Sequence, residues 1–209
     1  MAIVERENKM PLVINILSAL FERTAKRNDE LAISQEQNRQ PPRAAETFSS
    51  PIIPAFSIQR YLEYIFYWTD CSLSCYIIAY IYVDRFLYLN PSVILDSSNV
   101  HRFLITSILT SVKFMDGSNH DNVHFATVGG ISVCEMNELE VNFLFGLRFN
   151  LNVTASTYCG YLSFLLGQVD TLDMEVPHML RFVSLAEDGS GLREDFSDLE
   201  TQMAWDTEH

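Results

Sequence analysis

Two side chains break the helical pattern around them in ways that suggest chemistry. Glu140 lies four residues after Met136 and four before Leu144, inside an otherwise apolar stripe. A lone carboxylate there is costly to bury, so it either faces water at a rim or awaits a cation or backbone donors from another chain. Lys113 is the only Lys or Arg between Arg102 and Arg148, and it closes a predicted helix. A lysine in that place complements the helix dipole. With Glu140 nearby, the two would make a charged pair on one surface.

Catalytic readings lack parts. His120 and His124 are four apart, but they fall in a predicted loop and no clear third ligand accompanies them for zinc. Gly129-Gly130 has neither the GxGxxG spacing nor the Lys-Ser/Thr pair of a phosphate loop, so turn geometry is its expected role. No GxSxG occurs, and no cysteine is tied by spacing to an activating histidine. The expectation is a chain without catalytic residues, cofactor or metal.

The elements that must position Lys113 and Glu140 read as helices throughout. A helix is predicted over Pro11–Lys26, with Val13, Ile16, Leu17, Leu20 and Phe21 at helical spacing. A polar, Pro-containing stretch follows. Ser57 is expected to cap a helix striped by Ile58, Tyr61, Leu62, Ile65 and Phe66. Ser72–Leu89 is apolar nearly all round, as a central helix is, and Asn90-Pro91 stops it. Ser97 or Ser98 is expected to cap a third helix through Val100, Phe103, Leu104, Ile108 and Val112, where Ser107 and Ser111 permit close packing. Asp116–Gly130 reads as a loop. Ser132 and Glu135 form a capping box for a fourth helix through Met136, Leu139, Phe143, Leu144 and Leu147. Thr154 is expected to cap a fifth, ended by Gly167. No strand pattern of useful length appears. The fold class is all-α.

Composition bounds the partners. The chain has 209 residues, 48% of them apolar, and a formal net charge of −13. That acidity argues against nucleic acid or an anionic membrane as the main partner. Residues 170–209 alone hold net −9 and read as a solvated acidic extension. Cys71, Cys75, Cys134 and Cys159 show no CxxC pairing, and Cys71 and Cys75 fit one helical face as core residues. Without a signal peptide or membrane-length apolar run, an intracellular protein is expected, cytoplasmic, nuclear or both.

The motifs carry a family resemblance. Tyr82-Val83-Asp84-Arg85-Phe86-Leu87 resembles the second-helix signature of the cyclin box, and Ser111-Val112-Lys113-Phe114 resembles the end of its third helix. Val128-Gly129-Gly130-Ile131-Ser132, Glu135-Met136-Asn137-Glu138-Leu139-Glu140, Phe143-Leu144-Phe145 and Phe149-Asn150-Leu151 closely resemble the plant P-type (U-type) cyclins, which are similar to the yeast cyclins of phosphate signalling. The resemblance covers roughly residues 10–167. It implies a five-helix cyclin box with an additional N-terminal helix. The division is 1–30 N-terminal helix, 31–54 linker, 55–168 box and 169–209 acidic extension.

What the family implies further is a regulatory subunit of a cyclin-dependent kinase with a PSTAIRE-like helix. A family Lys and Glu bind backbone of the kinase's regulatory helix region; here they are Lys113 and Glu140, with apolar contacts from Phe114, Leu144, Phe149 and Leu151 and Asp116 at the rim. The role is activation, in cell division or nutrient (phosphate) signalling. Its competitor is a cyclin-fold scaffold or inhibitory adaptor.

Three departures from the family pattern stand out. The first box helix often reads Y-L-E-R-I, whereas here it is Tyr61-Leu62-Glu63-Tyr64-Ile65. If that Arg normally pairs with the second-helix Asp, Asp84 has lost its partner, and Arg60, one turn before Tyr64, is the expected substitute. His124-Phe125-Ala126-Thr127-Val128 replaces two aromatics and a Lys before V-G-G, which bears on kinase preference. The M-R-A-I-L groove motif of mitotic cyclins is absent.

Overall fold

The computed structural model describes residues 10–34, 47–50, 53–115 and 121–169. Asp116, His120, most of the polar stretch and the acidic extension from 170 onward lie outside them. The chain separates into two units at the Gln168–Val169 junction, and the seven described helices all lie in the first.

They are α1 (Leu12–Ser34), α2 (Ile58–Thr69), α3 (Leu73–Leu89), α4 (Val100–Met115), α5 (Asn122–Gly129), α6 (Val133–Gly146) and α7 (Ala155–Gly167). Among the described residues there is no strand. The fold is all-α, as expected, with a short helix beyond the expected count.

At the centre lie α3 and α4, which pack on one another. α3 buries residues on every side, including Tyr76, Ile78, Ile81, Tyr82 and Phe86, which is why its sequence carries no polar face. On α4, Ser107 and Ser111 are fully buried and turn their hydroxyls back to the carbonyls of Leu104 and Ile108. Small residues so satisfied let a neighbour approach closely. Four rings fill the centre. Phe48 stacks on Phe103 at 4.3 Å and Phe86 stacks on Phe143 at 5.3 Å, while Phe86 and Phe103 meet edge-on at 5.1 Å.

Several expectations need correction. α1 runs to Ser34 rather than Lys26, because its last turns are held from outside. Asn28 Nδ2 donates to the Leu95 carbonyl at 2.7 Å, and Asp29 accepts from the Ser97 backbone N–H and hydroxyl. Phe48, within the expected linker, is fully buried among the core rings. The turn into α4 is not capped by Ser97 or Ser98. Instead Asn99 Oδ1 accepts from the Asp96 N–H, and Asp96 Oδ1 accepts from the Ser98 N–H and hydroxyl. The expected loop Asp116–Gly130 contains α5, capped by Asp121 and closed at Gly130 with φ +68°. Cys71 and Cys75 are both buried, but Cys71 precedes Ser72 and stands outside α3.

The other caps match. Ser57, Ser132 and Thr154 accept from the N–H of Arg60, Glu135 and Thr157. The capping box at α6 is half made, because the Glu135 carboxylate pairs with Arg102 at 2.6 Å rather than reaching back.

Arg102 also acts on its neighbour His101. The buried ring of His101 holds Nε2 3.0 Å from the Phe56 carbonyl, and Nδ1 has no partner. Burial lowers its pKa; the Phe56 carbonyl opposes that and the Arg102 charge adds to it. The unfolded chain therefore takes up a proton near pH 6.5 that the folded chain refuses, so His101 withdraws stability as pH falls below that value. We expect the urea midpoint to drop between pH 7.5 and 5.5, and less steeply in His101→Gln. Equal drops in both proteins would contradict this account.

Candidate functional site

The signature on α3 turns out to hold a loop. Tyr82 Oη donates to the Leu151 carbonyl at 2.7 Å, and burial pushes that phenol's pKa up to about 12. The Arg85 guanidinium donates to the carbonyls of Asn150 and Asn152. Phe86 fills the space a side chain at Gly146 would need, since a Cβ there would lie 2.0 Å from its ring. Asn90 Nδ2 adds a bond to the Gly146 carbonyl at 3.1 Å. One helix thus fixes the end of α6 and the segment after it.

Asp84 in the same signature does not pair with Arg60. Both are exposed, and Asp84 Oδ2 accepts from Tyr161 Oη of α7 at 2.5 Å. Burial first and the Asp84 carboxylate second raise the Tyr161 pKa to about 12, so the phenol keeps its proton. Asp84 therefore joins α3 to α7 through a neutral donor from another helix.

Fixed in this way, the chain after α6 takes a form that side chains avoid. Arg148 and Phe149 have φ of 53° and 54°, at a cost of roughly 1–2 kcal/mol each. The Arg148 N–H donates to the Phe145 carbonyl and the Phe149 N–H to the Leu144 carbonyl, both at 2.9 Å. The result is an aromatic pair on the surface. Phe145 and Phe149 meet edge-on at 5.2 Å while remaining 67% and 59% exposed. The left-handed pair closes the end of α6 through those two bonds and leaves both rings open to solvent.

Lys113 Nζ, on α4, lies 2.7 Å from Glu140 Oε1, on α6. The last turn of α4 therefore meets the middle of α6, as the two pattern-breaking residues suggested. Glu140 is neither a rim group facing water alone nor an unpaired one, for its cation comes from its own chain. Asn122, on the first turn of α5, joins both. Its Oδ1 accepts from Lys113 at 2.5 Å, and its Nδ2 donates to Glu140 Oε2 at 2.7 Å and to Asn137 Oδ1 at 2.6 Å.

Apolar side chains flank the pair. Phe114, next to Lys113, is 49% exposed; Val141 and Phe145 on α6 are exposed, and Leu144 and Leu151 are half-buried. Of the expected contact residues, the structure joins Lys113 to Glu140 and sets Leu144 beside Phe149 through their backbone bond. Asp116 lies outside the described residues. The residue reading missed Asn122, Asn137, Val141 and Phe145. Val141 and Phe145 had a signal, because they widen the apolar band of α6 beyond what one buried face needs. Asn122 had none.

His124 Nε2 lies 2.8 Å from the Trp68 carbonyl, which ties α5 to α2. Among the described residues no group of three His, Cys, Asp or Glu side chains could hold a metal ion, and no helix is long and apolar enough to cross a membrane. Gly130 supplies the left-handed turn that ends α5, and a Cβ at Gly129 would lie 2.9 Å from Ile105 Cγ1. Turn geometry and close approach account for the pair of glycines.

The chain is similar to known proteins over most of its described length. The cyclin family model matches residues 11–151. The chain is 48% identical over 164 residues to Cyclin-P4-1 of Oryza sativa subsp. japonica, covering 78% of this chain and 77% of that one. It is 48% identical over 168 residues to Cyclin-U4-2 of Arabidopsis thaliana, covering 80% and 76%. Cyclin-U4-1 of Arabidopsis thaliana is 44% identical over 172 residues, covering 82% and 83%.

Proposed function

The chain belongs to the cyclin family, and we propose that it is the activating regulatory subunit of a cyclin-dependent kinase with a PSTAIRE-like helix. The process it serves is cell division or nutrient signalling. The observation that carries the reading is the Lys113–Glu140 pair, held across the α4–α6 junction, with exposed Phe114 next to Lys113 and exposed Phe145 and Phe149 at the end of α6. An ammonium and a carboxylate side by side suit the carbonyl and N–H groups of a partner's backbone, and the flanking rings supply apolar area around them.

The mechanism is a shift of population. A kinase is active only when its own Lys–Glu ion pair is assembled around the phosphates. A subunit that binds the conformer with that pair formed favours it by its differential affinity and performs no chemistry itself. Lys113 and Glu140 fix the kinase helix, and Phe114, Leu144, Phe149 and Leu151 pack against it.

Co-purification tests the reading. Wild-type protein should retain a PSTAIRE-type kinase, and Lys113→Ala/Glu140→Ala, checked for unchanged helicity, should lose it. Equal retention by both would remove this surface from the interface.

A further inference from the structure

The polar centre of this surface is already saturated within the chain. Lys113 Nζ carries three hydrogens, and three oxygens surround it: Asn122 Oδ1 at 2.5 Å, Glu140 Oε1 at 2.7 Å and Glu140 Oε2 at 3.0 Å. Glu140 Oε2 also accepts from Asn122 Nδ2 at 2.7 Å. The Asn122 nitrogen has a further acceptor in Asn137 Oδ1, at 2.6 Å.

A carboxamide is a planar group with a carbonyl oxygen and an N–H, the same hydrogen-bonding unit as a backbone peptide. Asn122 sets its oxygen on the ammonium and its nitrogen on the carboxylate. Those are the contacts a partner's backbone would make with the same two side chains. The remaining ammonium hydrogens are taken by Glu140, so a carbonyl arriving at Lys113 has no donor left unless Asn122 withdraws.

We infer that the Asn122 carboxamide is an internal stand-in for the kinase peptide, occupying the Lys113–Glu140 pair in the free protein and displaced on binding. This rests on the reading of that pair as kinase-binding. Displacement is local. Asn122 sits on the first helical turn of α5, and the Asp121 carboxylate caps that helix by accepting from the His124 N–H at 2.9 Å. The side chain can therefore swing out through its own two torsions while α5 stays formed. Asn137 holds the stand-in in place by accepting from its amide.

The consequence has a definite sign. If Asn122 only positioned the pair, its loss would weaken binding; because it competes, its loss strengthens binding. Affinity for a purified PSTAIRE-type kinase would be measured by calorimetry for the wild type, Asn122→Ala and Asn137→Ala, with helicity checked for each. Removing one competing charge-assisted contact should tighten binding by about threefold to tenfold in Asn122→Ala. The gain should be smaller, in the same direction, in Asn137→Ala. In the wild type, the Asn122 side-chain amide NMR signal should move to a solvent-like position in the complex. Equal or weaker binding by Asn122→Ala, or an amide signal unmoved by the kinase, would overturn the proposal while the kinase reading stands. A wild type that fails to bind would instead remove the kinase reading, and this proposal with it.

Discussion

Phe86→Ala should destabilise the fold by about 3–5 kcal/mol, the range for truncating a fully buried phenylalanine. The ring is completely buried and stands within ring-contact distance of three others: 5.1 Å from Phe103, 5.3 Å from Phe143 and 5.6 Å from Phe48. Those rings come from α4, α6 and the segment before α2, so the cavity would open where elements distant in sequence meet and cannot close by a local shift. Phe86 also occupies the place that a Cβ at Gly146 would need. Gly146→Ala should therefore destabilise as well, by about 1–3 kcal/mol through overpacking. Urea unfolding checks both. A loss under about 1 kcal/mol for Phe86→Ala would show that the four rings are not the packing centre.

Glu140→Ala should separate binding from folding. Its ion pair with Lys113 is partly open to water, with side chains 37% exposed for Lys113 and 16% for Glu140. Pairs near a surface contribute about 0–1 kcal/mol to stability, and Lys113 keeps Asn122 Oδ1 as an acceptor. On the proposed reading, however, the kinase covers the pair and buries it. Removing one partner of a buried charge pair costs about 2–5 kcal/mol of affinity, on the order of thirtyfold to several thousandfold, mostly through faster dissociation. Calorimetry and urea unfolding on the same variant read the two effects. A large stability loss with unchanged affinity would make the pair a structural clamp.

What was legible in the sequence depended on how local its cause was. The helices α2, α3, α4, α6 and α7 follow from apolar spacing, and three of them from caps at Ser57, Ser132 and Thr154, each satisfied within its own first turn. Lys113 and Glu140 were legible because each breaks the pattern of its helix. The features that were missed have distant causes. α5 spans eight residues rich in β-branched side chains, too short to hold alone, and it forms by packing on α2, α4 and α6. The last turns of α1 depend on Leu95 and Ser97, far along the chain. Asp84 finds Tyr161 rather than Arg60 because α7 folds back onto α3, a fact of topology that spacing on α2 does not contain. Phe48 was lost in a polar stretch, since one aromatic has no period. An asparagine at the start of an unrecognised helix gave equally little sign of standing between Lys113 and Glu140.

On the proposed reading this surface switches a kinase on, and a titration of the kinase with the protein reads that out. Purified protein is added to a monomeric PSTAIRE-type kinase, and phosphorylation of a histone-type substrate is followed alongside binding. We expect activity to rise with occupancy and saturate with it, and Lys113→Ala/Glu140→Ala to produce neither signal. Saturable binding with flat or falling activity would contradict activation and identify a scaffold or inhibitory adaptor.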